Sequence, residues 1–163
     1  MVHPLVVRSV SREEVPLLLR LVLELAEYER LAHCVTATEA DYEQALFGAG
    51  SHAEAALAWE GDVVVGYLVW FRSFSTFKAR SKLYLEDLYV RPELRGRGHG
   101  KALLGWLARR AVEEGYWRVH WQVLDWNQPA IDFYRRLGAE LTTEWVDCRI
   151  EGEALHALAA SSP

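Results

Sequence analysis

"RPELRGRGHGKALLGWLARRA" (residues 91–111) sets three glycines two residues apart among basic side chains, just where an apolar helical pattern begins. Glycine at that density is costly in ordered structure unless the backbone itself must approach something. Three phosphate-binding patterns compete for the stretch. A P-loop needs glycine five residues before the Gly100-Lys101 pair and Ser or Thr after it, but Arg95 and Ala102 stand there. A GxGxxG pattern begun at Gly96 meets Lys101, and one begun at Gly98 meets Leu103. Arg-x-x-Gly-x-Gly remains, carried by Arg95, Gly98 and Gly100. The head of a helix leaves about four amides without intrahelical acceptors, and the dipole adds positive charge there. With no Cβ at Gly96, Gly98 and Gly100, those amides can face a pyrophosphate closely, and Arg95, Arg97 and Lys101 add screening charge. Taken alone, the run also suits a flexible turn with a basic, solvated rim.

Before this turn, "KLYLEDLYV" (82–90) reads as a strand, and a helix is predicted over 98–114. Further upstream, "AEAALAWE" (53–60) and "VVVGYLVWFRSF" (63–74) flank Gly61-Asp62, a hairpin with a two-residue turn. A short helix over 37–48 starts at Thr36 or Thr38 and stops at Gly48 and Gly50. "SREE" (11–14) is a capping box, followed by Val15, Leu18, Leu19, Val22, Leu25 and Ala26 at helical spacing. Pro16 fits that helix only in its first turn. "HPLVVRSV" (3–10) is the first strand. Downstream, "WRVHWQVLDW" (117–126) reads as a strand, 128–137 as a helix and "EWVDCRI" (144–150) as a last strand, with the tail "AASSP" frayed. The order is β-α-α-β-β-β-α-β-α-β, an α/β chain with a mixed, mostly antiparallel sheet and about four helices. The central antiparallel run excludes a doubly wound parallel sheet.

With 163 residues, the chain suits one domain, 1–163. It carries 23 acidic against 18 basic residues, which argues against nucleic acid and favours a cationic partner. Charges interrupt the apolar amino-terminal stretch, so no membrane span or signal peptide is expected. Cys34 and Cys148 lie far apart and the six histidines are scattered. A cytoplasmic protein with reduced thiols and no metal is expected.

"DLYVRPELRGRGHGKALL" (87–104) resembles the acetyl-CoA loop of the GNAT superfamily of N-acetyltransferases, and the element order matches that fold over nearly the whole chain. "LELAEYE" (23–29), "LYLEDLYV" (83–90) and "VLDWNQPAIDFYRRLGA" (123–139) are similar to the diamine branch, which includes the spermidine/spermine and thialysine enzymes. The resemblance implies acetyl-CoA as cosubstrate, a small cationic amine as acceptor and a homodimer. It implies that backbone groups of Leu88, Tyr89 and Val90 hold the pantetheine arm at a splayed strand end. The amides of Gly96, Arg97, Gly98, His99, Gly100 and Lys101 would cradle the diphosphate beside Arg95. His120 to Gln122 would line the other side, and Asn127 would bind further along the arm.

Acetyl transfer to an amine raises two proton problems. An alkylammonium with a pKa of ~10.4 must be deprotonated near pH 7, at a cost of about 4–5 kcal/mol, and the departing thiolate benefits from a proton donor. Resemblance gives Tyr134, on a helix capped by Asn127 and ended by Gly138, the donor role beside the sulfur. Spacing alone favours a packed aromatic with a satisfied hydroxyl, on a stripe with Ile131 and Leu137, and the resemblance reverses that preference. Glu86 and Asp87 are neighbours on a strand, so alternation sends them to opposite faces and only one reaches the cleft. Resemblance selects Glu86, which binds the cation or takes its proton through water. Tyr28 and Glu29, at the end of the first helix, would contact the amine with Asp87. "FRSFSTFKARSK" (71–82) departs from the polyamine enzymes, being basic at Lys78, Arg80 and Lys82 with Phe74 and Phe77 in place of acidic and tryptophan positions. A lysine-like amine is therefore expected at least as much as a polyamine. Two alternatives stand beside this reading: a GNAT-fold sensor that binds acetyl-CoA without chemistry, and an acetyltransferase of protein amino groups.

Overall fold

A capping box opens the helical part of the fold: the Ser11 amide donates to Glu14 Oε2 at 2.9 Å, around a single 3-10 turn, Arg12–Glu14. Helix α1 (Val15–Tyr28) follows with Pro16 in its first turn, where a missing N–H leaves no bond unmade. A second box, Thr38 with Asp41, starts α2 (Glu39–Phe47), which settles the start on Thr38. The computed structural model describes residues 3–161. It divides after Gln122 into two compact units.

The first unit holds a five-stranded sheet in the order β1-β2-β3-β4-β5. Its strands are β1 (Leu5–Ser9), β2 (Glu54–Glu60), β3 (Val63–Ser75), β4 (Arg80–Val90) and β5 (Val119–His120). Gly61 and Asp62 join β2 to β3, with Glu60 paired to Val63. All neighbours are antiparallel except β4 and β5. Alternation gives each face its helix. Leu57, Tyr67 and Tyr89 pack with Leu18 and Leu21 of α1. On the opposite face Trp70 meets Trp106 of α3 (His99–Glu113) edge-on, with ring centres 5.5 Å apart. Among the described residues no helix is long and apolar enough to cross a membrane.

The second unit holds α4 (Gln128–Arg136) and α5 (Gly152–Ala160). Two sequence expectations fail around it. The strand expected over 117–126 shrinks to Val119–His120. The last strand expected over 144–150 does not form. A strand exists only through ladder bonds to a neighbour, and this apolar stretch has none among the described residues. Trp145 and Val146 lie 83% and 85% exposed. The tail is helical through Ala160, and the fraying expected for Ser162 and Pro163 lies outside the described residues.

Candidate functional site

Strand β4 pairs with β5 only at Leu83 and Tyr84. From Leu85 to Val90 that edge has no strand partner among the described residues. The Arg91 amide donates across to Val65 at 3.0 Å on the β3 side, so the Val90 carbonyl faces the opposite, open edge. By the same alternation, both backbone groups of Leu88 face it too. The Val90 carbonyl is already taken, because Arg95 Nε donates to it at 2.9 Å. Leu88 and the Val90 amide therefore line the open edge, whereas Tyr89 turns its backbone to β3.

The glycine turn follows directly. Gly96 and Gly98 have φ of 77° and 86°, a region that residues with a Cβ rarely enter. Gly98 is the N-cap of α3 and supplies no side-chain cap. The first bond of the helix runs from the Ala102 amide to the Gly98 carbonyl at 3.0 Å. Among the described residues, the amides from Gly96 to Lys101 donate to no backbone acceptor outside the helix. These groups fit an anion of pyrophosphate type. The His99 ring is buried, with Nε2 3.5 Å from Glu60 Oε1 and without a hydrogen-bond partner, so only the amide of His99 is available to such an anion. Arg97 and Lys101 are exposed at the rim. Beside the open edge, the His120 ring meets Tyr84 edge-on at 5.4 Å. Burial, then the charges of Lys82 and Arg118, lowers its pKa.

Strand β4 is irregular at Glu86 and Asp87. Asp87 pairs with Val69 and Leu85 with Trp70, so Glu86 is an extra residue, a β-bulge. Beyond the bulge Val69–Asp87 and Tyr67–Tyr89 pair in unbroken register, so Asp87 shares the face of Tyr67, whose hydroxyl donates to Asp87 Oδ2 at 3.0 Å. Glu86 itself is exposed, whereas Asp87 is half-buried. Burial raises the Asp87 carboxyl to about 6, against the lowering bond from Tyr67, with Glu86 and Glu29 pushing it further up. Glu29, just after α1, is raised by burial. Tyr42 of α2 is raised by burial, then by the charges of Asp87 and Glu86. Three carboxylates and two phenols thus gather with no cation among the charges that shift Asp87, a setting that suits an ammonium group. Tyr67 and Tyr42 carried no sequence signal. Tyr67 sits in an apolar run, and only the three-dimensional register reveals its partner.

Arg95 ties the two halves together. While Nε holds the Val90 carbonyl, its guanidinium lies 4.7 Å over the Tyr28 ring and 5.9 Å from that of Tyr89. Nearby, Arg91 grips Glu24 of α1 at 2.8 and 3.1 Å. Arg95 therefore acts as a brace between α1 and the end of β4, rather than as mere screening charge. A planar guanidinium does this and an ammonium does not. Arg95→Lys is expected to cost about 1–2 kcal/mol, lowering the melting temperature by roughly 2–8 °C, as much as Arg95→Gln does. A lysine variant that melts like the wild type would return Arg95 to a purely electrostatic role.

In the second unit Asn127 caps α4, its Oδ1 accepting the Ala130 amide at 3.4 Å, and Pro129 sits in the first turn. Tyr134 and Ile131 are each 8% exposed, but Leu137 is 37% exposed and does not extend their stripe. Gly138, at φ 84°, follows the helix end.

Residues 19–139 match the acetyltransferase (GNAT) family. The chain is 40% identical to a thialysine N-epsilon-acetyltransferase of Bos taurus over 153 residues, 87% of this chain and 89% of that one. It is 43% identical over 96 residues, 59% of this chain and 42% of the other, to an L-ornithine N5-acetyltransferase of Arabidopsis thaliana. An integron cassette protein from the mobile metagenome of V. cholerae superposes with a TM-score of 0.77 at 28% identity, covering 96% and 98% of the two chains.

Proposed function

The chain belongs to the GNAT acetyltransferase family and is an N-acetyltransferase, and from this premise we propose that it transfers the acetyl group of acetyl-CoA to a primary amine of a small aliphatic substrate, lysine-like or a diamine. The observation that carries the reading is one strand. Between Glu86 and Val90, β4 joins a carboxylate cluster to an open backbone edge, and the donor-rich turn follows at once. Bound acetyl-CoA supplies an activated acyl carbon and a thiolate leaving group. Leu88 and the Val90 amide hold its pantetheine arm, and the amides of Gly96 to Lys101 hold its diphosphate. His120 to Gln122 and Asn127 bind along the arm. Tyr28, Glu29 and Asp87 receive the amine. Glu86 binds the ammonium or takes its proton through water, and Tyr134 protonates the departing thiolate. The basic residues Lys78 at the β3–β4 turn and Arg80 and Lys82 at the start of β4 favour an acceptor that also carries a carboxylate over a long polycation.

Thiol release from acetyl-CoA, measured with thialysine, lysine, ornithine, diamines, spermidine, aminoglycosides and a lysine peptide, tests this directly. Turnover is expected to be highest with the amino-acid amines. Silence with every amine refutes the activity, and a clear preference for spermidine refutes the substrate class. The working unit is a homodimer formed by the whole 1–163 chain. The exposed apolar run at Trp145, Val146 and Ile150 supports a second copy, and sedimentation of the same preparation checks it. Two free, exposed thiols, Cys34 and Cys148, support a reducing compartment such as the cytoplasm.

A further inference from the structure

We propose that Asp87, held by the Tyr67 hydroxyl on the face of the sheet beneath α1 and α2, is the group that takes the proton from the incoming ammonium, and that Glu86 is its exposed counter-ion. This deepens the amine-acetylation reading and rests on it. The register carries the arrangement: Tyr67 pairs with Tyr89 and Val69 with Asp87, so Asp87 shares the face of Tyr67 with Glu29 and Tyr42 nearby, while the bulge at Glu86 leaves Leu85 paired with Trp70 on the face of α3. Tyr67 is fully buried and donates at 3.0 Å. One carboxylate oxygen is thereby fixed, and Asp87 remains partly accessible.

The groups acting on Asp87 are Glu29 from the end of α1, Tyr67 from β3 and Glu86 from its own strand, while Tyr42 of α2 senses both carboxylates. None of them is a cation. An arriving ammonium supplies the missing positive charge and presents its proton to the buried carboxylate. A carboxyl raised to about 6 is about a hundredfold better proton acceptor toward an amine than one at the ordinary Asp value, at tenfold per pH unit. The nitrogen loses two protons in the reaction. The first passes to Asp87 and then to solvent past Glu86, freeing the lone pair that forms the C–N bond. The second, lost as the C–S bond breaks, is balanced by the proton taken up by the thiolate. Tyr67 touches no reacting atom, so it is a positioning residue. Its bond lowers the Asp87 pKa and keeps the carboxylate ionised at neutral pH.

The pH dependence of kcat/KM reads these roles. In the wild type activity falls as pH drops through about 6, because Asp87 must be ionised to accept a proton. Tyr67→Phe keeps the ring but loses the donor, so the acid limb moves to higher pH. Asp87→Asn abolishes that limb and lowers the plateau by about a hundredfold or more. Carbon-13 titration of the side-chain carboxyls gives the same information without turnover: Asp87 titrates near 6 and rises in Tyr67→Phe. An active enzyme whose acid limb survives Asp87→Asn but vanishes in Glu86→Gln overturns the assignment alone, as does an Asp87 carboxyl titrating near 4. A wild type inactive toward every amine overturns the reading beneath it as well.

Discussion

Tyr134→Phe is expected to lower kcat by about 30- to 100-fold while leaving the affinity for CoA within about twofold of the wild type. A positioned acid contributes about 10²–10⁴ in general, and the low end applies here for a chemical reason. A thiol with a reference pKa of ~8.5 leaves as its thiolate near pH 7 at a cost of only about 2 kcal/mol, so the donor has little more than that to supply. Tyr134 is 8% exposed on a helix whose start is fixed by Asn127 and Pro129, and its ring packs 5.2 Å from that of Phe133. Phenylalanine keeps the ring in place and removes only the hydroxyl. Steady-state rates and CoA titration by calorimetry check both halves. The deficit should shrink for acetyl thioesters of more acidic thiols, whose thiolates need no proton. A phenylalanine enzyme as fast as the wild type takes the donor role from Tyr134. Loss of CoA affinity in step with rate makes it a binding group instead.

Which parts of this arrangement could be read from residues alone follows a physical division. Signals that act within a few residues are legible. Thr38 with Asp41, Asn127 with Ala130, and Gly61-Asp62 between alternating runs each satisfy or bend backbone locally. The Gly96 and Gly98 turn is of the same kind, since its positive φ angles demand glycine whatever the rest of the chain does. The resemblance of residues 87–104 to one family's loop then supplied a reading of the site that the local chemistry left open between a ligand cradle and a solvated turn.

Cross-strand register is not legible in that way. Alternation assigns Glu86 and Asp87 to opposite faces and resemblance selects Glu86 for the cleft, but which face each residue takes depends on its pairing with β3 and on a bulge that resets parity along the strand. The register of Tyr67 with Tyr89 and of Val69 with Asp87 brings Asp87 to the Tyr67 hydroxyl, a pairing across 20 residues of sequence. The missing strand at 144–150 fails for a related reason. "EWVDCRI" has strand-like residues, yet a strand needs a neighbour that a one-dimensional pattern does not reveal. Helix α5 differs on the opposite count: Ala, Leu and Glu over 152–160 are strong helix formers, and they outweigh the tendency of a tail position to fray.

Gly66→Ala is expected to be the most damaging single methyl in the sheet, lowering stability by about 3 kcal/mol and the melting temperature by roughly 6–12 °C. Gly66 pairs with Val90 across the β3–β4 ladder. A Cβ there would lie 2.0 Å from the Tyr89 carbonyl oxygen, 3.0 Å from its carbon and 3.1 Å from Val90 Cα. All three are backbone atoms, so no side chain can rotate aside and the strands themselves must part. Parting them strains the neighbouring bond from the Arg91 amide to the Val65 carbonyl. It also shifts the stretch of β4 whose outer edge is open, so CoA affinity should fall further than stability alone explains. Gly105 is the matched control. It lies inside α3, where an added Cβ meets nothing within 4 Å. Gly105→Ala should raise stability by about 0.5–1 kcal/mol through helix propensity and the lost freedom of the unfolded chain. The two variants add the same methyl group with opposite expected signs, so thermal melts of the pair separate contact geometry from composition. A Gly66→Ala protein melting at or above the wild-type temperature would mean that β3 and β4 do not approach this closely, and the register that places Asp87 beside Tyr67 would lose its footing along with them.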